Sequence, residues 1–294
     1  MACTDALASQ GINMTTETIG IIGQGFVGTA IREGMKNHFK IETYDKFKAD
    51  VSTCSSLKEV CEKANIVFTC LPTPMRRTGE CDLSIIEGTV REINDLDLGN
   101  IVVVKSTVIP GTTERLNKEC SNIQIVFNPE FLTEANYIDD FKNQNRIIIG
   151  GPRPATTHVK NMFRKVFQKT PIVKTGSKTA ESVKYFINCF LATKVSFANE
   201  FKQICEITGV DYDKVVEYSL YDNRIGQTHL STPGPDGRRG FGGSCFPKDL
   251  NALMYFAKMN GLEPSVLGGV WEKNLEVRPE RDWENLKGRA VSEE

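Results

Sequence analysis

Short, continuous apolar runs punctuate the first half of the chain. Ile19-Gly20-Ile21-Ile22, Ile41-Glu42-Thr43-Tyr44, Ile66 to Leu71, Ile101 to Val104, Ile123 to Phe127 and Arg146 to Gly151 each read as a strand. Apolar residues on consecutive positions fit strands covered on both faces, as in a parallel sheet. Helical spacing fills the gaps, through about His38 after the first run and over Asp82 to Leu96 after the third. From Ser177 the apolar runs stop. Ser177 to Thr208 keeps helical spacing with no internal proline or glycine, and Gly209 is a natural stop. Further helices are expected over Asp211 to Leu220, over Lys248 to Met259, and after Pro264. Val277 to Glu294 is charged and contains Pro279 and Gly288, so it is expected to fray.

The first strand runs directly into Gly23-Gln24-Gly25-Phe26-Val27-Gly28, and a helix follows. Gly23 permits a tight turn, Gly25 lets a pyrophosphate approach the backbone, and Gly28 lets helix pack closely on strand. Phe26 and Val27 would open the helix, whose free N–H groups and positive dipole end suit phosphate. Asp45 closes the second run, 22 residues beyond Gly23, where a carboxylate can take both ribose hydroxyls and would repel a 2′-phosphate. Strand, glycines, helix, strand and acid in this order predict an NAD-binding, Rossmann-type doubly wound parallel sheet over residues 18–175. An all-helical domain with a long central helix is expected over 176–294. Polar loops around Pro72, Thr107 and Glu130 each follow a strand, at the carboxyl edge where such sheets bind ligands.

Composition narrows the class. Among 294 residues, 37 acids face 36 bases, so nothing favours nucleic acid or an anionic membrane as partner. The nine cysteines are irregularly spaced and form no C-x-x-C pair, which argues against a zinc site or a disulfide framework. Met1 to Thr18 lacks the basic-then-apolar order of a secretory signal, and no apolar run approaches the roughly 20 residues of a membrane helix. A soluble, cytoplasmic protein with no metal is expected.

Gly240-Phe241-Gly242-Gly243-Ser244-Cys245-Phe246-Pro247-Lys248-Asp249 carries the candidate chemistry. Its glycines let backbone pass close to a ligand, and Pro247 suits the first turn of a helix. Cys245 would then lie just before a helix N-terminus with Lys248 nearby, and both sources of positive potential lower a thiol pKa. Asp249, one turn on, is placed to handle a proton or a water. Lys184 and Asn188, four apart, share one face of the long helix.

These segments together resemble the UDP-glucose/GDP-mannose dehydrogenase family: Gly23-x-Gly25-x-x-Gly28, Ser106-Thr107-Val108 with Pro110-Gly111-Thr112, Asn128-Pro129-Glu130-Phe131-Leu132, Glu181 to Asn188, and Gly240 to Asp249. The resemblance spans about residues 18 to 275. It implies oxidation of the C6 alcohol of a nucleotide sugar, UDP-glucose foremost, to the carboxylate with two NAD⁺ in succession. Cys245 would attack the C6 aldehyde to give a thiohemiacetal, and the thioester formed from it would be hydrolysed. Lys184 and Asn188 would stabilise the oxyanion, Asp249 and Thr107 would organise the water, and Glu134 or Asp249 would act as base. Glu130 matches the family's other active-site glutamate. Arg224 and the loop containing Phe241 and Gly242 would hold the sugar phosphate, with Glu130, Phe131, Leu132, Lys184 and Asn188 also lining the substrate. Thr107, Glu134 and Lys248 would join the glycine turn and Asp45 around NAD.

The chain departs from the family pattern in two places. Ala135 stands where the family tends to have glycine, and the family's C-terminal nucleotide-binding domain is expected to be absent. A naturally compact form, a truncated form, or a domain carried on another chain would each account for that. The long helix and the Arg224 loop resemble the family's dimer elements, so a homodimer is expected. Two other readings stay open. One is a single-step 3-hydroxyacid dehydrogenase, which shares the domain pattern but needs no nucleophilic cysteine. The other is a non-catalytic NAD-binding fragment that requires a second chain.

Overall fold

Alternate residues of each apolar run enter opposite layers of the molecule, which is why the runs are unbroken. The computed structural model describes residues 17–293. Cys3 and nearly all of the Met1 to Thr18 leader reading fall outside the described residues. In chain order the elements are β1 (Thr18–Ile22), α1 (Phe26–Met35), β2 (Lys40–Tyr44), α2 (Leu57–Lys63), β3 (Ile66–Thr69), α3 (Ser84–Asp95), β4 (Ile101–Val104), α4 (Thr112–Glu119) and β5 (Gln124–Phe127). There follow α5 (Tyr137–Lys142), β6 (Ile147–Gly150), α6 (Ala155–Val166), β7 (Ile172–Thr175), α7 (Ser177–Thr208), α8 (Tyr212–Ser219), α9 (Cys245–Met259) and α10 (Ser265–Val277).

The strands form one sheet in the order β2-β1-β3-β4-β5-β6-β7. Pairing is parallel throughout except between β5 and β6, which meet antiparallel at Phe127 and Gly150. Val67, Val102, Val104, Ile125 and Phe127 pack into one layer with α2 and α3. Phe68, Val103 and Val126 point the other way, against Ile31, Val159 and Phe163 of α1 and α6. The doubly wound sheet expected from the runs is therefore present. Its parallel core delivers the carboxyl ends of β1, β3, β4 and β5 to a common edge, where such sheets bind ligands.

Strand β7 left no mark in the apolar pattern. It is an edge strand, only partly buried, with just Ile172 and Val173 as apolar residues. Helix α7 has the predicted bounds, and Gly209 caps it in the left-handed conformation at φ 70°. Its 32 residues span about 48 Å at 1.5 Å per residue. Its first turns lie so close to the sheet that a Cβ on Gly150 would sit 2.5 Å from the Ala180 Cβ. Farther along, Cys189 and Ala192 share a second core with Phe241, Leu250, Met254 and Val270. One rod thus joins the sheet to the helices that follow it. No helix among the described residues is long and apolar enough to cross a membrane.

The expectation that the last residues fray is corrected. Trp283 and Ala290 are fully buried, and Trp283 packs on Trp271 at 5.3 Å between ring centroids. Met75 donates its N–H to the Ala290 carbonyl at 2.9 Å and accepts from Ser292 N–H at 2.8 Å. The charges that suggested disorder are spent internally: Arg278 donates to both Asp236 and Asp282. The segment is a strap that returns to the loop after β3. Trp283→Ala is expected to cost about 3–5 kcal/mol, the usual range for deleting a buried aromatic. Equilibrium denaturation in urea measures it, and a loss under about 1 kcal/mol would show that the strap is not part of the folded core.

Candidate active site

The glycine turn is dictated by close contacts. Gly23 has φ 91°, and a Cβ there would lie 2.4 Å from the Cys70 carbonyl oxygen. A Cβ on Gly28 would come within 1.9 Å of the Gly23 carbonyl oxygen. At Gly25 there is nothing within 4 Å of where a Cβ would stand, so the turn opens onto free space before α1. Gly25 caps α1 with no side-chain bond, which leaves the first N–H groups at Phe26, Val27 and Gly28 without a side-chain acceptor. Asp45 accepts from Gln24 N–H at 2.7 Å and from Phe47 N–H at 2.9 Å, one bond to each oxygen. Two oxygens with one bond each retain acceptor capacity. Open space, uncapped helix donors and a carboxylate at the end of β2 fit the pyrophosphate and ribose of a dinucleotide.

Beside this crevice, three elements bring polar side chains together. Lys184 of α7, itself buried, donates to the Glu130 carbonyl at 2.6 Å and to the Glu130 carboxylate at 2.8 Å. Asn188, one turn on, donates to Asp249 Oδ2 at 2.6 Å, and Lys248 donates to Asp249 Oδ1 at 2.5 Å. Cys245 opens α9 and is half-buried, with Glu130, Lys184, Lys248 and Asp249 all close enough to act on its thiol. Burial most strongly disfavours the charged form of Lys184, but Glu130, with Cys245 and Asp249, together outweigh it and the lysine pKa is raised. Burial likewise works against the Glu130 carboxylate, and Lys184 holds its pKa below the ordinary value.

The expected depression of the thiol pKa is not found. Burial, followed by the Glu130 charge, pushes the Cys245 pKa up, against the opposing pull of Lys184 and Lys248. Helix α9 also begins at Cys245 itself, three residues earlier than its apolar pattern indicated. Sequence proximity to Lys248 did not reveal that Lys248 is engaged by Asp249.

Other predicted residues fall in distinct places. Thr107 is buried, and its carbonyl accepts from Thr73 Oγ1 at 2.8 Å. Phe131 is half-buried with Arg146 over its ring at 4.1 Å and Lys184 at 5.5 Å. Leu132 N–H donates to Glu130 Oε2 at 2.8 Å and helps fix that carboxylate. Glu134 is exposed and accepts from Ser244 Oγ at 2.7 Å, next to the nucleophile candidate. Phe241 lies behind its loop, not in the mouth: its ring is buried, and Asn274 takes both its N–H and its carbonyl. Gly242 is pressed onto Arg278, whose guanidinium a Cβ would meet at 2.4 Å. Arg224 is not brought to the cluster. Its side chain is 89% exposed and pairs with Asp222 of its own loop.

Some positioning groups escaped the sequence. Glu181 is fully buried and accepts from Gly111 N–H at 2.6 Å and Thr113 N–H at 2.9 Å, docking α7 onto the start of α4. Lys105 is buried and donates to Asn128 Oδ1 at 2.8 Å just before Glu130. Asn274 and Arg278 carried no local signal, because their partners lie about forty residues away or less in chain order but across a loop with no periodicity.

Comparison with known proteins places this geometry in context. Residues 33–170 match the NAD binding domain of the UDP-glucose/GDP-mannose dehydrogenase family, and residues 178–276 match that family's central domain. The chain is 36% identical over 223 residues to a UDP-glucose 6-dehydrogenase of Bacillus subtilis, covering 73% of this chain and 47% of the relative. A Haloferax volcanii UDP-glucose 6-dehydrogenase is 35% identical over 240 residues, 76% of this chain and 54% of the relative. The chain thus spans about half the length of the curated relatives it matches. Among solved structures, a UDP-glucose dehydrogenase from Pyrobaculum islandicum superposes with a TM-score of 0.81 at 29% identity, over 92% of this chain and 70% of that one. A Mycobacterium tuberculosis 3-hydroxyisobutyrate dehydrogenase, at TM-score 0.72 and 13% identity over 90% of this chain and 95% of that one, shares the fold alone.

The charge balance at Cys245 is directly measurable. Alkylation of this thiol by iodoacetamide should accelerate with pH without a plateau up to pH 9, the unperturbed thiol value. Glu130→Gln removes a neighbouring negative charge, so it should speed the reaction at pH 8 by roughly tenfold, the effect of one pKa unit. A plateau near pH 7, or slower alkylation in the variant, would contradict this electrostatic assignment.

Proposed function

We propose that this chain, which belongs to the UDP-glucose/GDP-mannose dehydrogenase family, oxidises the C6 alcohol of a nucleotide sugar to a carboxylate with NAD, holding the intermediate on Cys245. UDP-glucose, giving UDP-glucuronate, is the leading substrate. One observation carries the reading. The Cys245 thiol lies within electrostatic reach of Lys184 and of Asp249, which Asn188 hydrogen-bonds, and its neighbour Ser244 connects through Glu134 and Arg289 to Phe26 at the open glycine turn. We read 18–175 as the NAD-binding unit and 176–294 as the helical unit that brings the cysteine.

Gly23, Gly25, Phe26, Val27, Gly28 and Asp45 would hold the cofactor, with Thr107, Glu134 and Lys248 at its reactive end. Bound there, NAD would supply the hydride acceptor for each of the two oxidations. Cys245 Sγ bonds the C6 aldehyde carbon as the C=O π bond opens and the thiol proton passes to the carbonyl oxygen, so the half-oxidised sugar stays attached as a thiohemiacetal. Lys184 spends two of its three N–H donors on Glu130, and Asn188 spends one amide hydrogen on Asp249. One donor on each is left for the oxygen on that carbon, a term often worth a few kcal/mol. In hydrolysis, water adds to the thioester carbon and the Cys245 sulfur leaves, regaining a proton. Asp249 has each oxygen engaged, by Lys248 and by Asn188, which suits it to orient donors and water with Thr107. Glu134, exposed and with Oε1 engaged by Ser244 and Arg289, offers its other oxygen for proton exchange at the mouth. Glu130, Phe131 and Leu132 would line the sugar.

A second copy of the chain is the partner we propose for the outer face of α7. Phe186, Phe190, Phe197 and Ile204 lie at spacings of four and seven and are 72%, 56%, 63% and 46% exposed. A stripe with this period seeks another helix. Arg224 and the exposed Tyr221 follow α8 in the same region of chain, so a homodimer would give that loop a partner. The cytoplasm, where thiols stay reduced, suits a free nucleophilic cysteine.

Supplied with UDP-glucose and excess NAD⁺, the protein should release about two NADH per sugar, as the two-step chemistry demands. Cys245→Ala should abolish the second equivalent; one NADH per sugar in the wild type would contradict the mechanism. Sedimentation equilibrium should give a dimer, and Phe190→Glu should shift it to monomer. A wild-type monomer at micromolar concentration would remove the dimer proposal.

A further inference from the structure

Two buried lysines hold adjacent carbonyls of one turn. Lys105, next after β4, donates to Asn128 Oδ1 at 2.8 Å and to the Pro129 carbonyl at 3.4 Å. Lys184 of α7 takes the following carbonyl, that of Glu130, at 2.6 Å, together with its carboxylate. The root of Lys105 is itself fixed. Its N–H donates to the Thr69 carbonyl at 3.0 Å, Ser106 Oγ donates to the Leu71 carbonyl at 2.6 Å, and Thr73 holds the Thr107 carbonyl. Asn128 also donates to the Ile148 carbonyl at 2.7 Å, which ties the turn to β6. The place of Glu130 is thus set by Lys105 from the strands and by Lys184 from the helix.

Packing alone would not call for a lysine here. Burial disfavours a charged amine, and a methionine fills such space without that cost. The groups that face Lys105 are Cys70 just after β3, Glu130 after β5 and Lys184 of α7. Burial, aided by Lys184 and opposed by Cys70 and Glu130, brings the Lys105 pKa down to about 8. Burial raises the Cys70 thiol to about 12, so it stays neutral, and Glu130 is an anion common to both lysines. Lys184 gives two of its N–H groups to Glu130, and tetrahedral geometry then dictates where the third points. Misplacing such a group by about 1 Å can cost about a hundredfold in rate.

We propose that Lys105 is a positioning residue for the oxidation, acting through the Asn128-Pro129-Glu130 turn to aim the third N–H of Lys184 at the oxygen on the carbon bonded to Cys245. This rests on the oxidation reading above. Lys105 works at one remove: it fixes the two acceptors that orient Lys184. While protonated it also attracts the Glu130 carboxylate. Above about pH 8 it becomes a neutral amine, whose hydrogen bonds are weaker and whose pull on Glu130 is gone. The turn should therefore loosen, and turnover fall, as pH rises through that value.

Turnover of UDP-glucose with excess NAD⁺, followed against pH, tests this beside ¹³C NMR of protein labelled at lysine Cε. One lysine resonance should titrate near pH 8, and wild-type kcat should fall through the same midpoint. A kcat that holds steady across that midpoint would overturn the proposal, and this arm needs no variant to fold. Lys105→Met should lose both that resonance and that fall. Its kcat at about pH 7 should be down roughly tenfold or more, with KM for UDP-glucose within about threefold of wild type. An unchanged kcat, or a loss carried by KM instead, would overturn the assignment. The Lys184 resonance, identified from Lys184→Met, should move in Lys105→Met, and an unmoved one would count equally against it. That last arm needs no turnover. A wild type that forms no NADH from UDP-glucose sinks the oxidation reading, a separate result visible before any variant is made.

Discussion

Lys184 stays charged inside the protein with Glu130 meeting it twice, through carboxylate and carbonyl, and with Cys245 and Asp249 adding their pull. A buried charge left alone is strongly destabilising, and breaking such a pair typically costs several kcal/mol. The pairing therefore ties α7 to the loop after β5. Glu181, one turn earlier, ties the same helix to the loop after β4. These bonds fix where Asn188 stands, and through Asp249 they fix the first turn of α9 with Cys245 on it. The strand ends and the cysteine loop are otherwise far apart in sequence, and one helix brings them to a common register.

That arrangement has a cost in thiol reactivity. Burial and Glu130 hold the Cys245 proton on more tightly, while Lys184 and Lys248 act the other way without prevailing. Both lysines are already committed, to Glu130 and to Asp249. The cluster is thus close to charge balance, which suits the proposed binding of an anionic nucleotide sugar and the proposed oxyanion. A freely ionised cysteine would be exposed to oxidation at all times.

Much of the fold could be read from the chain because its strands are buried on both faces. Val102-Val103-Val104 and Ile66-Val67-Phe68 supply both layers at once, so no polar residue interrupts them. The glycine turn was legible for a similar reason: only glycine fits at Gly23 and Gly28, and steric necessity leaves a trace in sequence. Edge strand β7 left none, because one partner and partial exposure ask little of its residues. The strap was misread because Arg278, Asp282 and Arg289 look like solvent-facing charges until their partners are known. Several residues that the structure brings together, Glu130, Lys184, Asn188 and Asp249, sit in short motifs. The sign of the thiol shift is not legible in them, since it depends on the sum of burial and four charges from three elements.

Whether sugar carbon bonds to this sulfur is the question on which the account turns. Acid-quenched peptide mass spectrometry after mixing the protein with UDP-glucose and NAD⁺ answers it most directly. The account predicts a mass increase confined to the peptide containing Cys245, present only with both ligands. An unmodified Cys245 peptide during sustained NADH formation would contradict it.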